Sequence, residues 1–283
     1  MKILITSLNG HLSKPLIKKL VNEFDKNIII LSRSRVNNFK EITISHDLSK
    51  SSFKIPNSIK CIIHTASVTP RSNNKIYSTN IAITKNLITS INNHGKIEKL
   101  INFSSMAIFD SIQKSNIVDD CSNNFSNEEY AFSKKLSEDM FLKSNSKKIY
   151  NIRIPGVLVD KNSENFISNL IKNSIINKTI VLYNRDNLFN NIMSVCELYN
   201  FIIKLLKNNY DSGNILLGSK NPASIEKIVN FIIDKLNKNQ KILWKTDNKG
   251  FYINLNKTIK EYDYKPNDTI QIIDKYINKN FIN

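Results

Sequence analysis

The chain reads as an α/β protein: a doubly wound parallel sheet with helices on both faces, followed by a smaller α/β lobe toward the carboxy terminus. Three observations predict this. Over residues 1–155, short β-branched apolar runs alternate with longer amphipathic stretches, the pattern of βαβ units. The apolar runs are nearly continuous, as strands covered on both faces require. After Pro155 the alternation loosens into shorter pieces parted by Asn-rich loops, with no Gly/Ser or Pro linker.

Taken in order, the predicted strands of the first half are Lys2–Thr6, Asn27–Leu31, Glu41–Ile44, Cys61–His64, Lys99–Phe103 and Ile149–Arg153. Helical periodicity falls at Lys14–Phe24, Ser78–Asn93 and Ser126–Lys143. Right-handed crossovers then place the carboxyl ends of the strands along one edge, where open α/β sheets collect ligands. Beyond Pro155 the pattern predicts a helix at Ser163–Asn177, a strand at Thr179–Leu182 and a helix at Cys196–Lys207. A strand at Asn214–Leu217 and helices at Ala223–Leu236 and Asp268–Lys279 complete the chain.

Composition narrows the function classes. At 283 residues and 41% hydrophobic, the chain is large enough for a main domain with a satellite. No apolar run reaches the roughly 18 residues of a membrane span, and the first residues run straight into an apolar strand. The expectation is a soluble, cytoplasmic protein without a membrane span. Cys61, Cys121 and Cys196 lack CxxC spacing and the four histidines lack paired spacing, so neither a disulfide framework nor a metal site is expected. The formal net charge of +17 invites a nucleic-acid reading. The lysines, however, are spread over the helices, and basic stripes interleaved with aromatics are absent. No nucleic-acid partner is expected, and an anionic small substrate suits the charge equally well.

The stretch "ITSLNGHLSK" joins the first strand to the first helix. Such a turn holds a pyrophosphate because the helix start presents unpaired N–H groups and a positive dipole end. Gly10 keeps the position of closest phosphate approach, while Ser7 and Ser13 stand where two further glycines would be expected. Ser7, Asn9, Gly10, His11 and Leu12 are therefore the candidate phosphate contacts of a Rossmann-like unit. The second strand ends in "LSRSR", where Arg33 and Arg35 would meet the adenosine ribose. Guanidinium groups there favour a 2′-phosphate, and so NADP over NAD, with NAD as the alternative. In "SHDLSK", Asp47 is placed to accept a hydrogen bond from the adenine amino group.

In "EEYAFSKKLSED", Tyr130 and Lys134 lie four apart on a predicted helix, which stacks phenol and ammonium on one face. A phenol with an ordinary pKa near 10 is a poor proton donor or acceptor at neutral pH, and a neighbouring cation favours its ionised form. The pair can thus shuttle a proton while hydride moves to or from nicotinamide. Lys134 can also hold the nicotinamide ribose. Upstream, "INFSSMAIF" runs out of the fifth strand into Ser104 and Ser105, hydroxyls that either face a substrate oxygen or cap the next turn.

With these pieces in order, the chain resembles the extended short-chain dehydrogenase/reductase family, the group of nucleotide-sugar epimerases, dehydratases and reductases. "ILITSLNGHLS" is similar to its glycine loop, "HDLS" to its adenine-contact turn including Leu48, and "CIIHTAS" to its fourth strand. The resemblance implies that Thr65, Ala66 and Ser67 lie beside the cofactor and that Asn80, in "STNIAITKNLI", supports the active site. It selects Ser105 as the catalytic hydroxyl by its spacing to Phe109, and "YAFSK" as the Tyr-x-x-x-Lys pair of Tyr130 and Lys134. "IRIPGVLVD" resembles the sixth strand and loop, which puts Pro155 and Gly156 against the nicotinamide. The later runs "IMSVCELYNFI", "NILLGSKNPASIEKIVNFI" and "INLNKTIKEYDYKP" look like the returning strand and the substrate-domain elements.

Two departures narrow the activity. Met106 and Ala107 stand where dehydratases of the family carry an acid pair, so elimination of water is not expected. Asn190 stands where many members bind the substrate diphosphate with arginine, and Arg185 lies five residues earlier. Ser105, Met106, Arg185 and Asn190 are the expected substrate contacts. By the resemblance, residues 1–156 plus about 191–213 form the dinucleotide-binding domain, and 157–190 and 214–283 the substrate-binding lobe. The implied activity is NAD(P)-dependent reduction of a keto group, at C4, on a nucleotide-linked sugar, in a homodimer. The alternatives are an NAD-dependent 4-epimerase and, from another class, a non-catalytic dinucleotide-binding regulator.

Overall fold

The computed structural model describes residues 1–8, 10, 12–33, 39, 42–70, 75–110, 116–123, 125–246 and 250–282. The expected contacts Asn9, His11 and Arg35 lie outside these residues. In chain order the elements begin β1 (Lys2–Thr6), α1 (Ser13–Phe24), β2 (Ile28–Ser32), β3 (Thr43–Ser45), β4 (Ile59–His64) and α2 (Ile76–His94). Next come β5 (Lys99–Ser105), β6 (Asn116–Val118), α3 (Glu129–Phe141), β7 (Lys148–Ile154), β8 (Gly156–Leu158) and α4 (Phe166–Ile175). Then follow β9 (Ile180–Tyr183), β10 (Leu188–Phe189), β11 (Ile192–Ser194), α5 (Val195–Lys207) and β12 (Gly213–Leu216). The last are β13 (Ala223–Ser224), α6 (Ile225–Lys235), β14 (Ile242–Lys245), β15 (Phe251–Ile253), α7 (Asn256–Tyr262) and α8 (Thr269–Ile277).

One compact unit comprises Met1–Ile108, Phe125–Arg153 and Tyr199–Ile215. It is built on a seven-stranded sheet in the order β12-β7-β5-β4-β1-β2-β3. The ladders of β1 with β2 and β4, of β2 with β3, and of β4 with β5 are parallel. The order reverses across β1 and β4, which makes the carboxyl ends of those strands the switch point where a crevice opens. Leu4, Ile62 and Leu100 of the sheet pack with Ile83, Leu87 and Ile91 of α2 in a buried layer. A buried Lys99 donates to the carbonyls of Leu205, Leu206 and Asn208 at 3.1, 2.7 and 2.7 Å, satisfying the open end of α5.

The other unit comprises Phe109–Asn124, Ile154–Leu198 and Leu216–Asn283. Its core joins Ile167, Leu170 and Ile171 of α4 to Ile228, Val229 and Ile232 of α6 and to Ile272, Ile273 and Tyr276 of α8. Short parallel ladders run β8 with β11, β9 with β14, and β6 with β15. The last ladder draws the chain around β6 into this unit, whereas the sequence boundary at 156 assigns it to the first.

Several boundaries differ from the sequence reading for local reasons. The helix expected from Ser126 starts at Glu129, because the Ser126 hydroxyl accepts the Glu128 N–H and holds a turn. The helix expected from Ser163 starts at Phe166, because Asn165 and Ser168 exchange reciprocal capping hydrogen bonds. Left-handed backbone falls on Asn177, Asn184, Asn221 and Asn237, at φ of 52°, 56°, 52° and 50°. No helix among the described residues is long and apolar enough to cross a membrane. None of the described His, Cys, Asp and Glu residues cluster as metal ligands.

Candidate active site

The strand-to-helix loop is built around two serines. Ser7 has φ of +75°, the left-handed region where glycine is favoured, and its N–H donates to Leu31 O of β2 at 2.7 Å. Ser13 opens α1, is buried, and donates its hydroxyl to Thr65 Oγ1 at 3.2 Å. Thr65 Oγ1 in turn donates to the carbonyl of Thr6. Thr6 Oγ1 accepts from the N–H groups of Thr65 and Ala66 at 3.1 and 3.2 Å and lies 2.8 Å from His64 Nδ1. A Cβ on Gly10 would lie 2.9 Å from Ser13 Oγ, so the bare α-carbon leaves the serine its place against β4. The cap residue Leu12 makes no side-chain cap and the first turn holds no acid, which leaves the positive end of α1 uncompensated by its own side chains.

Beside this loop lies a cavity of about 410 Å³ at the carboxyl ends of β1, β2 and β4. Of the sequence candidates it gathers Ser7, Arg33, Asp47, Leu48, Ala66 and Ser67. It also takes in His46, Val68, Thr79 and Ile83, which sequence reading left unassigned. Arg33 is exposed at the end of β2. Asp47 Oδ1 accepts from the Ser49 N–H and hydroxyl at 2.9 and 2.7 Å. Burial works to raise the Asp47 pKa, but the Ser49 bonds and the charges of Arg33 and Lys50 prevail and hold it below the usual carboxylate range.

The acid-base candidates sit on α3 and β5 of the same unit. Lys134 is buried, with Nζ 2.9 Å from Phe103 O and 5.9 Å from the centroid of the Tyr130 ring. Burial pushes the Lys134 ammonium down to about 8, against the opposing pull of Glu138. Glu138 in turn forms a buried bidentate pair with Arg153 of β7, a feature that sequence reading did not identify. Burial first, and the Lys134 charge second, hold His64 down at about 3, so this imidazole stays neutral. Asn80 of α2 donates to Val68 O at 3.1 Å and Ser133 Oγ at 3.0 Å, and accepts from Val68 N at 2.7 Å. It thereby fastens the loop after β4 to α3. Ser105 is half-buried and accepts the Ala107 N–H at 3.1 Å, capping the short turn Met106–Phe109. The neighbouring Ser104 hydroxyl is buried without a hydrogen-bond partner, and Met106 is buried.

In the second unit, Pro155 is buried ahead of β8. Arg185 is ion-paired with Glu226 and lies over the Trp244 ring, 6.0 Å from its centroid. Asn190 is fully buried. Its amide donates to Ser219 O and Ile253 O at 2.9 Å each and accepts from Ile253 N at 2.8 Å, so the side chain is committed to the interior of this unit. A cavity of about 510 Å³ opens beside α4 and β9, walled by Phe166, Tyr183, Phe189 and Phe251 with the amides of Asn169 and Asn173. Among the described residues no charged side chain lines it.

A model of the 3-beta hydroxysteroid dehydrogenase/isomerase family matches residues 5–187. Among curated proteins, none matches the sequence. Solved structures of similar fold include UDP-glucuronic acid 4-epimerase from Bacillus cereus in complex with NAD, at 17% identity and TM-score 0.76, covering 99% of both chains. Another is ADP-L-glycero-D-manno-heptose-6-epimerase of Helicobacter pylori, at 20% identity and TM-score 0.75, covering 98% of this chain and 95% of that one. A third is the Bordetella bronchiseptica enzyme WbmG in complex with NAD and UDP, at 15% identity and TM-score 0.77, covering 99% and 95%.

Proposed function

Because this chain belongs to the 3-beta hydroxysteroid dehydrogenase/isomerase family, within the extended short-chain dehydrogenase/reductases, we propose that it reduces a keto group, at C4, of a nucleotide-linked sugar. The observation that carries this reading is the buried Lys134 ammonium beside the Tyr130 ring. A cation kept out of water one helical turn from a phenol is placed to favour the ionised phenol.

The loop and its cavity fit a nicotinamide dinucleotide. The uncapped start of α1 and Gly10 suit the pyrophosphate, and the cavity containing Asp47, Leu48 and Ala66 suits an adenosine. Arg33 at the cavity wall favours a ribose 2′-phosphate, so NADP is the preferred form. When bound, the dinucleotide supplies a hydride to the keto carbon. Tyr130 gives its phenolic proton to the forming alkoxide, Lys134 stabilises the phenolate left behind, and Ser105 donates a hydrogen bond to the same oxygen. Asn80 holds α3 in place. The aromatic and amide walls of the second cavity suit the flat, uncharged base of a nucleotide. Stacked Tyr77 and Phe132, 5.6 Å apart on α2 and α3 with Phe132 exposed, would suit a face through which two copies pair.

A panel of nucleotide-linked keto sugars, with a 3-keto steroid as a further arm, tests the reading when absorbance of NADPH or NADH is followed. Consumption with a sugar substrate supports it, and consumption with the steroid alone overturns the substrate class. The second reading is a 4-epimerase, favoured by the epimerase in complex with NAD among the similar folds. An epimerase purifies with its nucleotide and needs none added, whereas a reductase consumes NADPH stoichiometrically. A non-catalytic regulator would keep its function in Tyr130→Phe.

A further inference from the structure

Three charged or ionisable groups of α3 stand at four-residue intervals, Tyr130, Lys134 and Glu138, and so share one helix face. Left to themselves, a buried ammonium and a carboxylate one turn away would close on each other, since a dry interior magnifies their attraction. They do not close here. Both oxygens of Glu138 are taken by Arg153, with Nε donating to Oε1 at 3.0 Å and a terminal nitrogen donating to Oε2 at 2.8 Å. Glu138 is 0% and Arg153 2% exposed. Phe125 covers the guanidinium at 5.7 Å, and Asn151 donates to the Glu138 carbonyl at 3.3 Å, so carboxylate and backbone are both held.

We infer that Arg153 is a positioning residue for Lys134: by occupying the Glu138 carboxylate it keeps that group from capturing the ammonium, whose charge stays available to Tyr130. The inference rests on the reading of Tyr130 and Lys134 as the acid-base pair. It goes further, in naming the residue that decides how much of the lysine charge the phenol feels. A direct Lys134–Glu138 contact would spend the ammonium on the carboxylate and cancel its field. Complete loss of the carboxylate would leave the ammonium buried without an opposing charge, and it would shed its proton. Arg153 fixes the carboxylate between these extremes.

Among the described residues the other groups facing Lys134 do not carry charge. His64 of β4 stays neutral, β5 presents the Phe103 carbonyl, and α2 meets α3 through Asn80 to Ser133 and Thr84 to Ser137 hydrogen bonds. Glu138, with Arg153 behind it, is therefore the charged neighbour that offsets the burial of this ammonium.

The test is a lysine titration on the full chain without cofactor, using carbon-13-labelled lysine and NMR, with the Lys134 signal assigned through Lys134→Arg. The expected order of Lys134 midpoints is Arg153→Gln above Arg153→Lys, above wild type, above Glu138→Gln. Arg153→Gln frees the carboxylate entirely and should raise the midpoint by about one pH unit, a tenfold change in proton affinity. Arg153→Lys releases one oxygen and should give a smaller rise. Any other order overturns the inference. Should Arg153→Gln fail to fold, the order of the remaining three proteins decides. Since the titration needs neither dinucleotide nor substrate, a protein that reduces no keto sugar leaves the inference intact. An active enzyme with the wrong order sinks the inference alone.

Discussion

The Ser13 hydroxyl donates to Thr65 Oγ1 at 3.2 Å, fastening the first turn of α1 to the end of β4. This bond occupies the space that a third loop glycine would leave empty, and it makes Gly10 depend on Ser13. Gly10→Ala places a methyl 2.9 Å from the Ser13 oxygen and drives the serine off Thr65. Dinucleotide affinity should fall about tenfold, roughly the 1.4 kcal/mol of one charge-assisted contact. Calorimetry on Gly10→Ala and on Gly10→Ala with Ser13→Gly checks this, because removing the serine side chain should recover most of the loss.

Ser7 pays the cost of a left-handed backbone that glycine would avoid. Ser7→Gly relieves it and adds chain entropy to the unfolded state, so the net gain should be up to about 1 kcal/mol. Denaturant unfolding of the two proteins measures the difference, and a loss of stability would contradict the assignment of strain to this residue.

His64 makes folding sensitive to acid. Its folded pKa of about 3 lies below the ordinary value near 6.5, so between those limits the unfolded chain binds the extra proton. Stability is fully present above pH 6.5 and drains as pH falls toward 3. The loss from this group should reach about 2 to 3 kcal/mol by pH 4.5. His64→Asn keeps a partner for Thr6 Oγ1 but cannot titrate, so urea unfolding at pH 7 and pH 4.5 should show a correspondingly shallower decline.

Tyr130→Phe should lower kcat by about 10² to 10⁴ and leave dinucleotide affinity nearly unchanged, as loss of a proton donor does. Lys134, pushed down to about 8, loses its proton as pH rises through that value, so turnover should decline on the alkaline side from about pH 8. A pH profile of kcat, flat through pH 9, would dissociate the lysine charge from the chemistry.

Arg33 lines the adenosine-sized cavity at the end of β2. Arg33→Asp exchanges a cation for a carboxylate that repels a 2′-phosphate and accepts from a free 2′-hydroxyl. The ratio of NADPH to NADH efficiency should drop by a factor of about 100, two lost charge-assisted bonds at 1.4 kcal/mol each. Steady-state kinetics with both nucleotides checks it.

The sheet was legible because its strands are apolar on both faces. β1 has the bounds its pattern predicts, and the other strands of the first half differ at their ends. β10, β13 and β15 are two or three residues long and carry no periodicity, so the sequence gives no signal for them. The Tyr130 and Lys134 spacing is local and could be read directly. The Glu138–Arg153 pair joins residues 15 apart through a helix-to-strand contact, and only the fold brings them together. Asn190 shows the same limit: its amide bonds the backbone of Ser219 and Ile253, 29 and 63 residues away, and only the fold brings them together.

The left-handed turns at Asn177, Asn184, Asn221 and Asn237 put the loop serines in proportion. With six glycines among 283 residues, the chain closes several tight corners on small polar side chains, while Gly95 ends α2 in the usual way. Ser7 follows that chain-wide habit. A missing glycine in the loop after β1 is thus a matter of dialect, and a glycine count alone is a poor measure of such loops in asparagine-rich proteins.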